Sequence, residues 1–148
     1  MSNTLLNRRD LDFLLYELLD TEALLDRPRY QDHSREVFNA TLDTAHTIAQ
    51  KYFANHNAKG DANEPQFDGS EVHIIPETKE AWNALAEAGF LAAHYDADED
   101  GLQLPEIILR AAMAYFNAGN IASSAYPFLS IGAANPPCVK AGSPEQWP

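Results

Sequence analysis

The sequence predicts an all-α fold, a helical bundle of orthogonal or up-down type, and three observations carry that expectation. Apolar side chains recur at three- and four-residue spacing along most of the chain. Proline, glycine and short polar capping residues fall between those stripes, where helices start and stop. The one extended stretch, Val72 to Ile75, is too short for a sheet of its own. A chain of 148 residues with 45% hydrophobic side chains can close one core of common size.

The first helix is predicted from the stripe Leu11, Leu14, Leu15, Leu18 and Leu19, and Pro28 ends that region. A second stripe, Phe38, Leu42, Ala45, Ala49 and Tyr52, follows Asp32 and Ser34, either of which can cap a helix. That helix is expected to reach about Phe53. Between Asn55 and Ile75 the glycines, asparagines, aspartates and Pro65 leave no periodicity, which predicts an ordered loop with a short extended turn from Val72. Pro76 suits the first turn of the next helix, Glu77 and Glu80 favour its positive end, and Trp82, Leu85 and Ala86 make its buried face. Gly89 is its C-terminal cap.

After the acidic loop Asp96 to Asp100, Pro105 opens a helix in which Ile107, Ile108, Ala111, Ala112 and Tyr115 share a face, and Gly119 and Asn120 break it. The segment Ile121 to Ala134 is apolar nearly all round, the pattern of a helix buried on several sides, with Pro127 kinking it or marking its start. Ser143, Pro144, Glu145 and Gln146 make a helix-start signature with almost no helix after it, so the chain is expected to be a fragment that continues naturally.

Charge narrows the function. Twenty-two acidic against ten basic side chains give a net charge of -12, which repels phosphate backbones and anionic headgroups and argues against nucleic acid or membrane partners. Asp12, Glu17 and Asp20 interrupt the Leu-rich start, so neither a signal peptide nor a membrane span is predicted. The single cysteine, Cys138, can make no internal disulfide and lacks the neighbours of a thiolate metal site; the cytoplasm is the expected compartment.

Local chemistry is sparse. Asp96, Asp98 and Asp100 before Gly101 begin like a calcium loop, but Ile107 stands where a bidentate glutamate is needed, and Glu106 lies one residue early. The five histidines show no zinc spacing, and His46 is expected at the surface or boundary of the second helix. Ser123 and Ser124 lack the glycine frame of a nucleophile elbow, and no glycine-rich phosphate loop occurs. Tyr115, Phe116, Tyr126, Phe128 and Leu129 read by themselves as core packing.

The order of features resembles one family. GFLAAHYDADEDGLQLPEI from Gly89, a helix, then small residues leading to KAGSPEQ at 140–146, is similar to the N-terminal helical domain of acyl-CoA dehydrogenases. There a Leu-Pro opens a helix after a glycine loop and a Gly-x-x-x-Gln motif precedes a β-domain; Asp100-Gly101 stands here in place of a double glycine. RRDLDFLLYELLD at 8–20, N-x-x-G-D at 57–61, then Phe67, Gly69, Val72 and Pro76 resemble the branch typified by 3-methylmercaptopropionyl-CoA dehydrogenase, except that Asn55 replaces its usual proline. The resemblance covers nearly the whole chain.

That resemblance implies a helical leader at 1–30 and a helical domain at 31–148, truncated before the β-domain. It implies a homo-oligomeric, FAD-dependent enzyme that converts an acyl-CoA to a trans-2-enoyl-CoA and passes electrons to an electron-transfer acceptor. A glutamate takes the α-proton while the β-hydrogen leaves as hydride to the flavin; both groups are expected outside this chain, which alone is predicted to be inactive. No catalytic, cofactor-binding or metal residue is therefore assigned in it. By position back from Gly142, Tyr126, Leu129, Ala133 and Ala134 are expected along the acyl-pocket wall, Tyr126 limiting chain length by its bulk. The alternatives are a calcium-binding, EF-hand-like helical module and a stand-alone helical interaction protein.

Overall fold

The computed structural model describes residues 5–129. Helix α1, Arg8–Asp12, is capped by Asn7, whose side chain accepts the Arg9 N–H at 3.0 Å, and it runs on as a π-helical turn, Phe13–Leu18. Of the expected apolar stripe only Leu15 is buried, while Leu14, Leu18 and Leu19 are exposed. The π-turn is the reason: its wider i to i+5 winding carries side chains spaced three and four apart off a single face.

Helix α2, Arg35–Ile48, starts where Ser34 accepts the Val37 N–H, so Ser34 rather than Asp32 is the cap. Its buried Phe38, Leu42 and Ala45 follow the predicted stripe. Thr41, Thr44 and Thr47 line the outer side and donate their hydroxyls to carbonyls four residues back, which lets α2 carry three β-branched polar residues. A second π-turn, Ala49–Phe53, extends it to the predicted end, and a 3-10 turn, Ala54–His56, follows.

The expected loop at 55–75 is instead a short helix and a hairpin. Helix α3 spans Asn57–Ala62, and strands β1, Gln66–Phe67, and β2, Val72–His73, pair antiparallel with Gln66 opposite His73. Asp68 builds the turn: its carboxylate accepts the N–H groups of Ser70 and Glu71, each at 2.8 Å, and meets His73 Nε2 at 2.6 Å. Gly69, at φ +100°, supplies the left-handed step. These bonds, the Glu71 N–H first, hold the Asp68 carboxyl down from 3.8 to about 2. A depressed carboxylate stabilises the turn above its ordinary value and ceases to do so as pH falls through the folded one. The Ser70 and Glu71 amide resonances are expected to keep their bonded shifts through about pH 4 and lose them near about pH 2. Titration of both amides at the ordinary carboxylate value would contradict this bonding.

Helix α4, Pro76–Glu87, has proline in its first turn as predicted, and Gly89 follows its end at φ +80°. Its buried line is Ala81 and Leu85, with Trp82 and Ala86 only half-buried, a rotation from the expected face. Helix α5, Glu106–Gly119, buries Ile108, Ala111, Ala112 and Tyr115 as expected, with Leu109 and Phe116 added; Ile107 sits at the boundary. A sixth helix, α6, covers 121–129 and contains Pro127 instead of starting at it.

The core lies where α2 packs on α5, closed by α4 and the turn Phe90–Ala92. The phenyl rings of Phe53, Phe90 and Phe128 surround Phe116 at centroid distances of 5.2, 5.2 and 6.0 Å. A Cβ on Gly119 would stand 3.1 Å from the Ala49 carbonyl oxygen and 3.1 Å from Phe53 Cβ, so the two main chains touch there.

The N-terminal segment is tied to this core. Leu15 belongs to it, Arg8 bonds Asp43 and Asn39 of α2 at 2.5 and 2.9 Å, and Tyr16 donates to the same Asn39 side chain. Further on, Arg29 pairs with Asp96 and donates to the His94 carbonyl, while the Gln103 side chain donates to the Arg29 carbonyl. Segment 101–104 runs back along 92–96 through backbone bonds from Leu102, Gln103 and Leu104 to Ala92, Tyr95 and Ala93.

Candidate functional site

Helix α6 begins at Asn120, whose extended backbone and side chain make an N-cap: Oδ1 accepts the Ser123 N–H at 3.0 Å and its carbonyl accepts the Ser124 N–H. The Asn120 amide also reaches back to the Phe53 carbonyl at 3.5 Å. One helical turn after Ser123 stands its surface neighbour Tyr126, and one turn beyond Tyr126 stands Leu129.

Contrary to the pattern of a helix buried on several sides, Tyr126 is 45% and Leu129 72% exposed, and Ile121 is exposed as well. Of the five residues expected in the core, Tyr115 and Phe116 are buried, Phe128 is half-buried and the other two lie open. Apolar composition showed that α6 is greasy but not which of its sides the bundle covers. Ala133 and Ala134 lie outside the described residues, as do Cys138 and the helix-start signature at Ser143.

Tyr126 stands between two open cavities. One, of about 310 Å³, is lined by Asn57, Asp61, Glu64, Ile75 and Ser123 among others. The second, about 390 Å³, is a more apolar groove formed by Ile74, Pro76, Thr78, Lys79 and Trp82. The tyrosine lines both, together with Ile74 and Thr78, so these three stand on the boundary between a space of mixed lining and a more apolar one.

Beneath the first cavity lies a contact that sequence reasoning missed. His56, 1% exposed, meets the Ser123 hydroxyl at 2.8 Å through Nε2 and the Asn55 side-chain oxygen at 3.0 Å through Nδ1. Asn55 as acceptor requires the proton on Nδ1, so Nε2 accepts from Ser123. The arrangement has the outline of a serine nucleophile and its base, yet the Ser123 N–H is already taken by Asn120 and cannot serve a developing oxyanion. It joins two chain segments instead. The Asn-x-x-Ser cap at 120–123 was the available local signal; the partnership with His56, 67 residues away, had none.

His46 is at the boundary of α2 as expected, its ring 5.2 Å from that of Tyr115. The Asp96 carboxylate is engaged by Arg29, and among the described residues no three His, Cys, Asp or Glu side chains group to hold a metal ion. Among the same residues no helix is long and apolar enough to cross a membrane.

No family model matches the chain. Over 122 residues, 81% of its length, the chain is 27% identical to a protein of Mycobacterium tuberculosis described as a broad-specificity linear acyl-CoA dehydrogenase. The chain spans a fifth of that relative's length, 20%.

Proposed function

We propose that this chain is the N-terminal helical domain of an FAD-dependent acyl-CoA dehydrogenase, in which α6 forms part of the acyl-pocket wall. The observation that carries the reading is the open side of α6: Tyr126, on the edge of an apolar groove, and Leu129 one turn further both stand outside the core. A closed bundle would have sealed both. Similarity to an acyl-CoA dehydrogenase over most of the chain supports the same reading.

In this reading residues 1–30 form a leader and 31–148 the helical domain of a longer, homo-oligomeric enzyme working in the cytoplasm with a separate electron acceptor. Its branch is that of the 3-methylmercaptopropionyl-CoA dehydrogenase. The described residues do not fit a flavin: Asp61 and Glu64 on the first cavity would repel its diphosphate, and no glycine-rich loop presents backbone N–H groups to it. FAD, which accepts hydride when bound, and the glutamate base therefore belong to other segments. What this chain contributes is exclusion of water and burial of methylenes, each worth about 0.8 kcal/mol. Tyr126, Leu129, Ala133 and Ala134 select the acyl group rather than react with it.

The test uses the complete protein, a panel of acyl-CoA thioesters of increasing length, and a dye that accepts electrons. Dye reduction with at least one thioester is expected, and none with any would overturn the reading. Tyr126→Ala is expected to raise relative kcat/KM for longer or bulkier acyl groups by about fourfold for each methylene newly buried. Identical relative values in wild type and variant would remove Tyr126 from the wall.

A further inference from the structure

We propose that His56 is the positioning residue of this wall: its hydrogen bond to Ser123 fixes the direction in which α6 leaves the bundle, and with it the place of Tyr126. The functional half of this inference rests on the dehydrogenase reading; the structural half does not.

The two partners belong to different parts of the molecule. His56 closes the 3-10 turn that ends the second helix, directly after Phe53, which is locked against Phe116. Ser123 lies in the first turn of α6 and is only 7% exposed. A helix that starts at a break in the chain, such as Gly119-Asn120, can swing about that break unless a contact one turn in holds it. Here the Asn120 amide anchors the first residue to the Phe53 carbonyl, and the Ser123 hydroxyl anchors the fourth to His56. Farther along, Phe128 holds the helix by its packing on Phe116, so the His56 bond is the polar contact that ties the first turn of α6 across to the second helix.

The consequence falls on Tyr126. It is three residues beyond Ser123 on the same side of α6, so any roll or tilt at Ser123 is carried to it. Since Tyr126 stands with Ile74 and Thr78 on the boundary of the two cavities, and is the one of the three carried by α6, the bond bears on how the space is shared between them. The Asn55 side chain keeps the imidazole turned so that Nε2 faces Ser123, in the tautomer that can accept.

The experiment has two arms. In the 148-residue chain, Ser123→Ala and His56→Gln are compared with wild type by hydrogen exchange, with far-UV circular dichroism as the check on helix content. Losing one buried hydrogen bond predicts about fivefold faster exchange at residues 124–129 in Ser123→Ala, with α2 unchanged. Glutamine at 56 retains an amide oxygen to accept from Ser123 and is expected to restore protection to within about twofold of wild type. Unchanged exchange at 124–129, or an equal loss in α2 and α6, would overturn the positioning role, the second because it marks general stability.

In the complete protein, Ser123→Ala is expected to shift acyl-length preference in the same sense as Tyr126→Ala through KM, with kcat on the preferred thioester held to within about twofold. A wild-type protein that oxidises no thioester defeats the dehydrogenase reading and leaves the exchange result standing. An active wild type whose preference is untouched by Ser123→Ala defeats the positioning of the wall instead.

Discussion

Phe116→Ala is expected to lower the unfolding free energy by about 3–5 kcal/mol, the range for deleting a fully buried phenyl ring. Phe116 is surrounded by rings from three separate segments: Phe53 in the π-turn of α2, Phe90 after α4, and Phe128 on α6. Those segments cannot all move inward to fill the void, because Gly119 already holds the backbones of α5 and the second helix in contact. Lost ring-to-ring attraction, about 0.5–1.5 kcal/mol per pair, adds to the lost burial. Against the usual 5–15 kcal/mol for a domain, such a variant retains little reserve. Urea unfolding followed by circular dichroism gives the number. A loss below about 1 kcal/mol would mean that the aromatic cluster is loosely packed or collapses freely.

Gly101→Ala is the second large effect, and its cause is main-chain contact rather than an empty space. A Cβ there would sit 2.1 Å from the Tyr95 carbonyl oxygen and 2.3 Å from its carbonyl carbon, distances that no side-chain rotation relieves. The loop can escape only by parting the strand-like pairing of 101–104 with 92–96, together with the Gly101 N–H bond to the Asp96 carbonyl. Overpacking of this kind costs about 1–3 kcal/mol, and rigid backbone on both sides points to the upper end. The Arg29 attachment at Asp96 and His94 would loosen with it, so a cut by protease near residue 98 should appear before global unfolding. An alanine tolerated within about 0.5 kcal/mol would show that the loop is not closed in this way.

Much of the helical frame was legible because its signals are local. Ser34, Pro76 and Gly89 act through bonds and torsions within one turn, and the stripes on α2 and α5 extend over fourteen residues each. The failures share a different physics. Asn57, Gly60 and Asp61 are poor helix residues, so α3 exists through its surroundings and its sequence resembles a loop. The π-turn at Phe13–Leu18 breaks the 3.6-residue phase on which the Leu-rich stripe was read. At the candidate site, residue type gave Tyr126 and Leu129 as apolar but could not say which side of α6 faces out. The His56 to Ser123 contact required knowing which two chain ends meet.

The touching main chains at Gly119 make that glycine a fulcrum, with α6 as the short arm beyond it. An added carbon at this point would meet the Ala49 carbonyl oxygen and Phe53 Cβ at 3.1 Å, so either these neighbours or the arm must give by a few tenths of an ångström. The space beside Tyr126 can thus be resized from a position that does not line it.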